Sequence, residues 1–276
     1  MLRLTRIRWR SLVLGLLSLA CVVLFAACGG STPTADSGSP STADAAPLKV
    51  ALDPTFPPFQ SQTGAGQFEG FDIDLINAVA EAGGFTMNME GLPFDGIIPA
   101  LQAGTIDATI STMTITKERA EVVDFSRPYF KAGLAIAVQD SNTDITGFDA
   151  LSGKKISAQI GTTGEAEARK SGASEVRTFD STPIALQELS NGNVDATISD
   201  APAILYAIKS GGVRGVKVVG ELLTEEFYGI ATPKGSPNLE KINAGLQTII
   251  ANGKYKEIYQ KWFDGEPPVL PEAAPI

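Results

Sequence analysis

Ala103-Gly-Thr-Ile-Asp-Ala-Thr-Ile-Ser111 recurs further along the chain as Asn191-Gly-Asn-Val-Asp-Ala-Thr-Ile-Ser199, identical at six of nine positions. Each copy follows a helical pattern containing Ala-Leu-Gln and ends in a β-branched run. Two helix–turn–strand units at corresponding places in two halves predict two lobes built on one plan. Working outward, LKVAL (48–52), FTMNME (85–90), KISAQIG (155–161), VRTF (176–179) and VKVVG (216–220) read as further strands. Helical patterns such as DIDLINAVAEAGG (72–84) and FDGIIPALQAG (94–104) separate them. Alternation of this kind predicts an α/β fold with mostly parallel sheet. Ligands of open α/β sheets bind beyond the carboxyl ends of strands, so the residues just after each Ile-Ser become candidates.

Composition narrows the chemistry. The chain has 276 residues, a formal net charge of −9, two Cys and no His. That length supports one large domain or two lobes, each burying a core. Without His there is no Ser-His-Asp triad, no Cys-His dyad and no His-ligated zinc. An acidic balance argues against nucleic acid and anionic membrane surfaces as partners, both of which require clustered Lys and Arg. No metal or other cofactor is expected.

Residues 1–10 (MLRLTRIRWR) carry four Arg and no acid, ahead of an apolar run from Leu12 to Ala27. A basic segment, an apolar segment and small residues before a break describe an export signal over residues 1–27. The apolar stretch is shorter than the roughly 20 residues of a membrane-spanning helix. It ends in Leu24-Phe25-Ala26-Ala27-Cys28, which resembles a bacterial lipobox with Cys28 as the lipidated mature N-terminus. Cys21 is the competitor, but cleavage there leaves an apolar stub, whereas a polar linker follows Cys28 at once. Residues 28–47 then form a Gly/Ser/Thr/Pro/Ala linker with nothing to bury, reaching about 25 Å as a flexible coil. Loss of the leader leaves a single Cys, which excludes an internal disulfide.

Four places could carry chemistry. Thr116 is a plausible N-cap, placing Arg119 in the first turn of a short helix. A cation there is unfavourable unless an anion binds, and an Arg fork with Thr114 and Thr116 hydroxyls suits a carboxylate. An exposed Arg paired with Glu118 or Glu121 fits the position equally well. Gly161-Thr162-Thr163-Gly164 opens a helix with small residues and forms a second possible anion cradle, though it lacks the Lys of a phosphate-binding loop. Asp200 reads first as an N-cap with Pro202 behind it, and otherwise as an anion facing Arg119 across a cleft. Asp53-Pro-Thr-Phe-Pro-Pro-Phe59 ends the first strand, and its paired prolines stiffen a loop that could aim Phe56 into the cleft; core packing is the plainer role. Asp72 and Asp74 begin a helix and read as capping residues.

Taken together these segments resemble the bacterial extracellular solute-binding proteins of family 3, the amino-acid-binding components of ABC importers. The resemblance rests on Gly70-Phe-Asp-Ile-Asp-Leu-Ile-Asn-Ala-Val-Ala-Glu-Ala-Gly83 and Phe94-Asp-Gly-Ile-Ile-Pro-Ala-Leu-Gln102. It continues through Thr114-Ile-Thr-Lys-Glu-Arg119, Val123-Asp-Phe-Ser126, Tyr228-Gly-Ile-Ala, Lys234-Gly and Ile258-Tyr-Gln-Lys-Trp-Phe263. It spans about 48–264 and is nearest to the glutamine-binding and the lysine/arginine/ornithine/histidine-binding branches.

The resemblance implies a two-lobed periplasmic-binding-protein (type II, Venus-flytrap) architecture. Lobe 1 would comprise 48–131 plus 229–264 and lobe 2 132–228, with a tail at 265–276. Crossing strands near Lys131–Val138 and Phe227–Thr232 would form the hinge. It assigns Arg119, Thr114 and the Thr163 N–H to a ligand α-carboxylate, and Asp200 with the Thr112 carbonyl to its α-ammonium. Phe56 and Phe94 would sandwich the side chain, with Asp53 at its polar end. The chain departs from the glutamine-binding branch in carrying Gln159 in place of a Lys and Ser199 in place of a His. Loss of positive charge near Asp53 brings arginine, or another basic amino acid, into contention behind glutamine. The expected partners are a free L-amino acid, an ABC transporter permease with its ATPase, and the membrane only through the N-terminal lipid. The protein is expected to be a monomer facing the periplasm or cell exterior, and not an enzyme. The rival functions are a cyclohexadienyl-dehydratase-like enzyme on the same fold and an amino-acid sensor module.

Overall fold

A computed structural model describes residues 46–276. The leader over 1–27, Cys28, its competitor Cys21 and nearly all of the linker lie outside the described residues.

In chain order the first half runs β1 (Leu48–Leu52), β2 (Thr55–Phe56), β3 (Gln60–Gln62), β4 (Phe68–Glu69), α1 (Phe71–Gly83), β5 (Met87–Gly91), α2 (Phe94–Gln102), β6 (Ala108–Thr109), α3 (Lys117–Val122), β7 (Val123–Phe125) and β8 (Phe130–Ala132). It continues with β9 (Leu134–Gln139), β10 (Lys155–Gln159), α4 (Thr163–Lys170), β11 (Glu175–Phe179), α5 (Thr182–Ser190), β12 (Ala196–Asp200), α6 (Ala201–Lys209), β13 (Val216–Val219), β14 (Glu226–Tyr228), β15 (Ala231–Pro233), α7 (Asn238–Ala251) and α8 (Lys254–Trp262).

Two five-stranded sheets result, ordered β5-β1-β6-β15-β7 and β11-β10-β12-β9-β13. The repeated sequence supplies the middle strand of each, β6 and β12. Its Asp does the same work twice: the Asp107 carboxylate accepts the Lys49 N–H at 2.8 Å, and Asp195 accepts the Lys155 N–H at 2.7 Å. Each carboxylate thus pins the start of the neighbouring parallel strand.

The sheets are mixed rather than mostly parallel. β1 runs parallel to β5 and β6, and β10 to β11 and β12, but β15 and β9 lie antiparallel to their neighbours. The reason is connectivity. β9 and β15 enter straight from β8 and β14, not from a crossover helix, so nothing forces them parallel. β8 and β14 pair antiparallel with each other and form the two strands that cross between lobes.

The inner strands of each sheet are covered on both faces, which is why β1 and β9 read as near-continuous apolar runs. In β9, Leu134, Ile136 and Val138 join one core while Ala135 and Ala137 face the other. In the first lobe Val50 and Ile110 pack beneath α1, α7 and α8, whereas Ala51 faces Ile97 and Leu101 of α2. Gly245 of α7 lies so close to α1 that a Cβ there would stand 2.3 Å from the Val79 carbonyl oxygen. Gly245→Ala is therefore expected to lower stability by roughly 1–3 kcal/mol through overpacking, measured as a fall in the urea midpoint at unchanged m. The C-terminal tail lies on the first lobe, with Leu270 against its core and Glu272 paired with Arg127 at 3.1 Å. No described helix is long and apolar enough to cross a membrane.

Candidate functional site

The carboxyl ends of β1, β6, β10 and β12 converge on one narrow pocket between the two sheets. The first lobe contributes Asp53 and Phe56 after β1, Phe94 at the start of α2, and Ser111, Thr112, Thr114 and Arg119 after β6. The second lobe contributes Gln159 at the end of β10, Thr162 and Thr163 at the start of α4, and Asp200 at the end of β12. All nine binding-site candidates line this pocket.

Thr116 does cap α3, its hydroxyl accepting the Arg119 N–H at 3.2 Å. The Arg119 guanidinium donates to the Thr114 carbonyl at 2.8 Å and, across the cleft, to the Gly161 carbonyl at 3.0 Å. It also sits 5.4 Å from the centre of the Phe94 ring. Two carbonyls use part of a five-donor fork, leaving N–H groups for an anion. Burial pulls its pKa below the usual arginine value, against the opposing influence of Glu226 and Asp200.

Asp200 occupies the N-cap position of α6, yet its side chain caps nothing. Its buried Oδ1 makes no hydrogen bond of normal geometry, and the equally unpaired Tyr228 hydroxyl beside it is the neighbouring donor that lowers its pKa. Burial first, then the adjacent Glu226, raises the Asp200 carboxyl well above the ordinary range. An orphaned carboxylate oxygen inside a cleft is costly unless a donor reaches it.

At the other end of the pocket, Asp53 is held from both lobes. Its Oδ1 accepts the Thr55 hydroxyl at 2.7 Å and the Thr55 N–H at 3.1 Å; its Oδ2 accepts the Gln159 side-chain amide at 2.7 Å. Burial raises its pKa in spite of these donors. Gln159 is thus a cross-lobe partner of Asp53. Phe56 serves both of its possible roles: it lines the pocket and packs in the core beside Phe59, ring centres 6.2 Å apart.

Three features escaped the sequence reading. Ser111 fixes the loop after β1 by accepting the Asp53 N–H at 2.9 Å. Glu226, on crossing strand β14, is buried behind Arg119. Its Oε2 accepts hydroxyls from both lobes, Thr114 at 2.7 Å and Thr163 at 3.1 Å, and its Oε1 accepts that of Thr224 at 3.2 Å. A pair of Glu on a strand reads as surface charge, but Glu226 shares a strand face with Tyr228, and that spacing was the available signal.

The third is Asp72. It is not a cap: the N-cap position of α1 is Gly70, which offers no side chain, and Asp72 is fully buried. One of its oxygens accepts the Gln60 amide, the Tyr129 hydroxyl at 2.9 Å and the Thr112 N–H at 3.1 Å. Asp74 is not a cap either, since its carboxylate accepts Trp262 Nε1 and Lys261 Nζ at 2.6 Å. Thr112 has φ +47°, alone among described non-glycine residues in a positive φ. For a β-branched residue that conformation costs about 1–3 kcal/mol and persists only where its surroundings impose it.

Comparison with known proteins gives a concordant result. The sequence profile of the bacterial extracellular solute-binding proteins, family 3, matches residues 48–265. The chain is 34% identical over 235 residues to an L-arginine-binding protein of Pseudomonas aeruginosa, covering 81% of this chain and 90% of that one. It is 33% identical over 269 residues to the ABC transporter glutamine-binding protein GlnH of Bacillus subtilis, covering 92% and 97%. A solved structure of an ancestral arginine-binding protein bound to arginine superposes with a TM-score of 0.75 at 46% identity, covering 78% of this chain and 97% of that one. These relatives are binding proteins, not enzymes.

Proposed function

Because the chain belongs to the bacterial extracellular solute-binding proteins, family 3, we propose that this pocket captures a polar L-amino acid, arginine first and glutamine second. The observation that carries the reading is that Arg119 and the buried Asp200 carboxylate, one from each lobe, line the same pocket. A cation opposite an anion is what the two ends of a free α-amino acid require. Arg119 and the Thr163 N–H receive the α-carboxylate. Thr114 adds its N–H; its single hydroxyl proton is given to Glu226, so that oxygen offers only lone pairs to the ligand. Asp200 and the Thr112 carbonyl take the α-ammonium. Phe56 and Phe94 flank the side chain, and Asp53 with Gln159 receives its end.

Charge balance ranks arginine ahead of the glutamine favoured by the sequence. The lining carries Asp53 and Asp200 against one Arg, with Glu226 buried behind. A zwitterion with a neutral side chain leaves that negative excess in a poorly solvated cleft, whereas a guanidinium offsets it. Aromatic rings on both flanks favour a planar cation further.

Residues 48–131 with 229–264 form lobe 1 and 132–228 form lobe 2, turning about β8 and β14. Binding energy shifts an open–closed equilibrium toward the closed form. A permease with its ATPase reads that form, while lipid on Cys28 holds the protein at the membrane. Calorimetric titration of protein unfolded and refolded to strip bound ligand tests this. Arginine is expected to bind at least tenfold tighter than glutamine. Glutamine equal to or tighter than arginine overturns the charge ranking, and silence from every amino acid overturns the site.

A further inference from the structure

We infer that Asp72 is a positioning residue for the α-ammonium subsite, holding Thr112 in the conformation that turns its carbonyl to the ligand. The inference rests on the binding function proposed above and extends it to a residue that lies outside the pocket. Thr112 lines the pocket, but its N–H is committed beneath it, to Asp72 at 3.1 Å and to the Tyr129 hydroxyl at 3.1 Å. That hydroxyl in turn donates to Asp72 at 2.9 Å, closing a triangle whose three members are all buried. The triangle anchors one end of a residue at φ +47°, a value that a threonine does not adopt unaided. With its N–H held below, Thr112 keeps its carbonyl and side chain for the ligand. Met113 follows, its carbonyl accepting the Gly229 N–H at 3.1 Å, so both ends of the turn are fixed.

Burying a carboxylate here is expensive unless its donors need it. Gln60 and Tyr129 could be satisfied by neutral groups. Above about pH 7, the value to which burial raises the Asp72 carboxyl, the strained backbone N–H is the partner for which a strong, charged acceptor makes a difference. Asp72 therefore acts on recognition through Thr112 and touches no ligand.

The experiment, run at about pH 8 so that Asp72 is ionised, compares arginine with 5-guanidinopentanoate, which keeps the carboxylate and guanidinium but lacks the α-ammonium. Wild type should prefer arginine strongly. Asp72→Asn should weaken arginine by about tenfold or more and change 5-guanidinopentanoate by less than about twofold, so the preference narrows. Tyr129→Phe, which keeps the ring and removes only the hydroxyl, should narrow it in the same direction; this variant serves if Asp72→Asn fails to fold. Placing Asp72→Asn in a Thr112→Gly background should cost little more than Thr112→Gly alone, because glycine adopts φ +47° without help. Equal losses for both ligands, no loss for either, or a full Asp72→Asn penalty in the glycine background each overturn the inference. They leave the function standing as long as wild type binds arginine. A wild type that binds neither arginine nor glutamine overturns both.

Discussion

Arg119→Ala should cost about 2–5 kcal/mol of amino-acid affinity, a loss of some thirty- to several-thousand-fold. The guanidinium is aimed before any ligand arrives. The Thr116 cap sets the backbone of Arg119, carbonyls from the two lobes orient the fork, and the Phe94 ring lies against it. Removing it leaves a ligand carboxylate desolvated without a counter-charge, which is where most of the penalty arises. The two carbonyls it leaves are neutral, but buried Glu226 and Asp200 lose their nearest cation, so some stability should go with the affinity. Arg119→Lys separates charge from shape. A point charge without the fork should recover only part of the affinity. Calorimetry on the three proteins decides it; unchanged affinity in Arg119→Ala removes the carboxylate subsite.

Much of this site was legible because the chain repeats itself. The shared Gly-x-x-Asp-Ala-Thr-Ile-Ser fixes the middle strand of each sheet, and ligands bind at strand ends, so Thr112, Thr114 and Asp200 were found by position. Arg119 stood out for a local reason, a cation in a helix's first turn. Buried acids were harder to read. Asp72 in a helix's first turn and Glu226 in an acidic pair both have ordinary surface explanations, and nothing local reveals which way they point. Their roles come from partners far away in sequence: Thr112 and Tyr129 for Asp72, Thr114 and Thr163 for Glu226. The same limit explains the sheets. Strand order within each lobe follows from helical crossovers, but the antiparallel β9 and β15 follow from the return of the chain through the hinge, which no window of sequence contains. β6 is also shorter than its β-branched run, since the chain turns at Thr112 toward the pocket.

Asp200→Asn should cost a comparable 2–5 kcal/mol, and its loss should appear most clearly in the pH dependence of binding. In the free protein the Asp200 carboxyl is raised by burial and by Glu226, with Tyr228 and Arg119 acting against them. An α-ammonium against its unpartnered oxygen favours the ionised form and draws that pKa back down. Between the two values the free pocket holds a proton that the occupied pocket releases. Affinity is therefore greatest above the raised free value and declines as pH falls through it, by up to tenfold per pH unit. Asp53 is raised as well and faces the side-chain end, so a cationic side chain should release protons there too. Titrating arginine near neutral pH in two buffers of different ionisation heat counts the protons directly. Wild type should release more than Asp200→Asn, and the difference should persist with glutamine, whose neutral side chain leaves Asp53 less affected. Equal proton release in the two proteins would place the ammonium elsewhere, and the buried Oδ1 would then be an orphan with no function in binding.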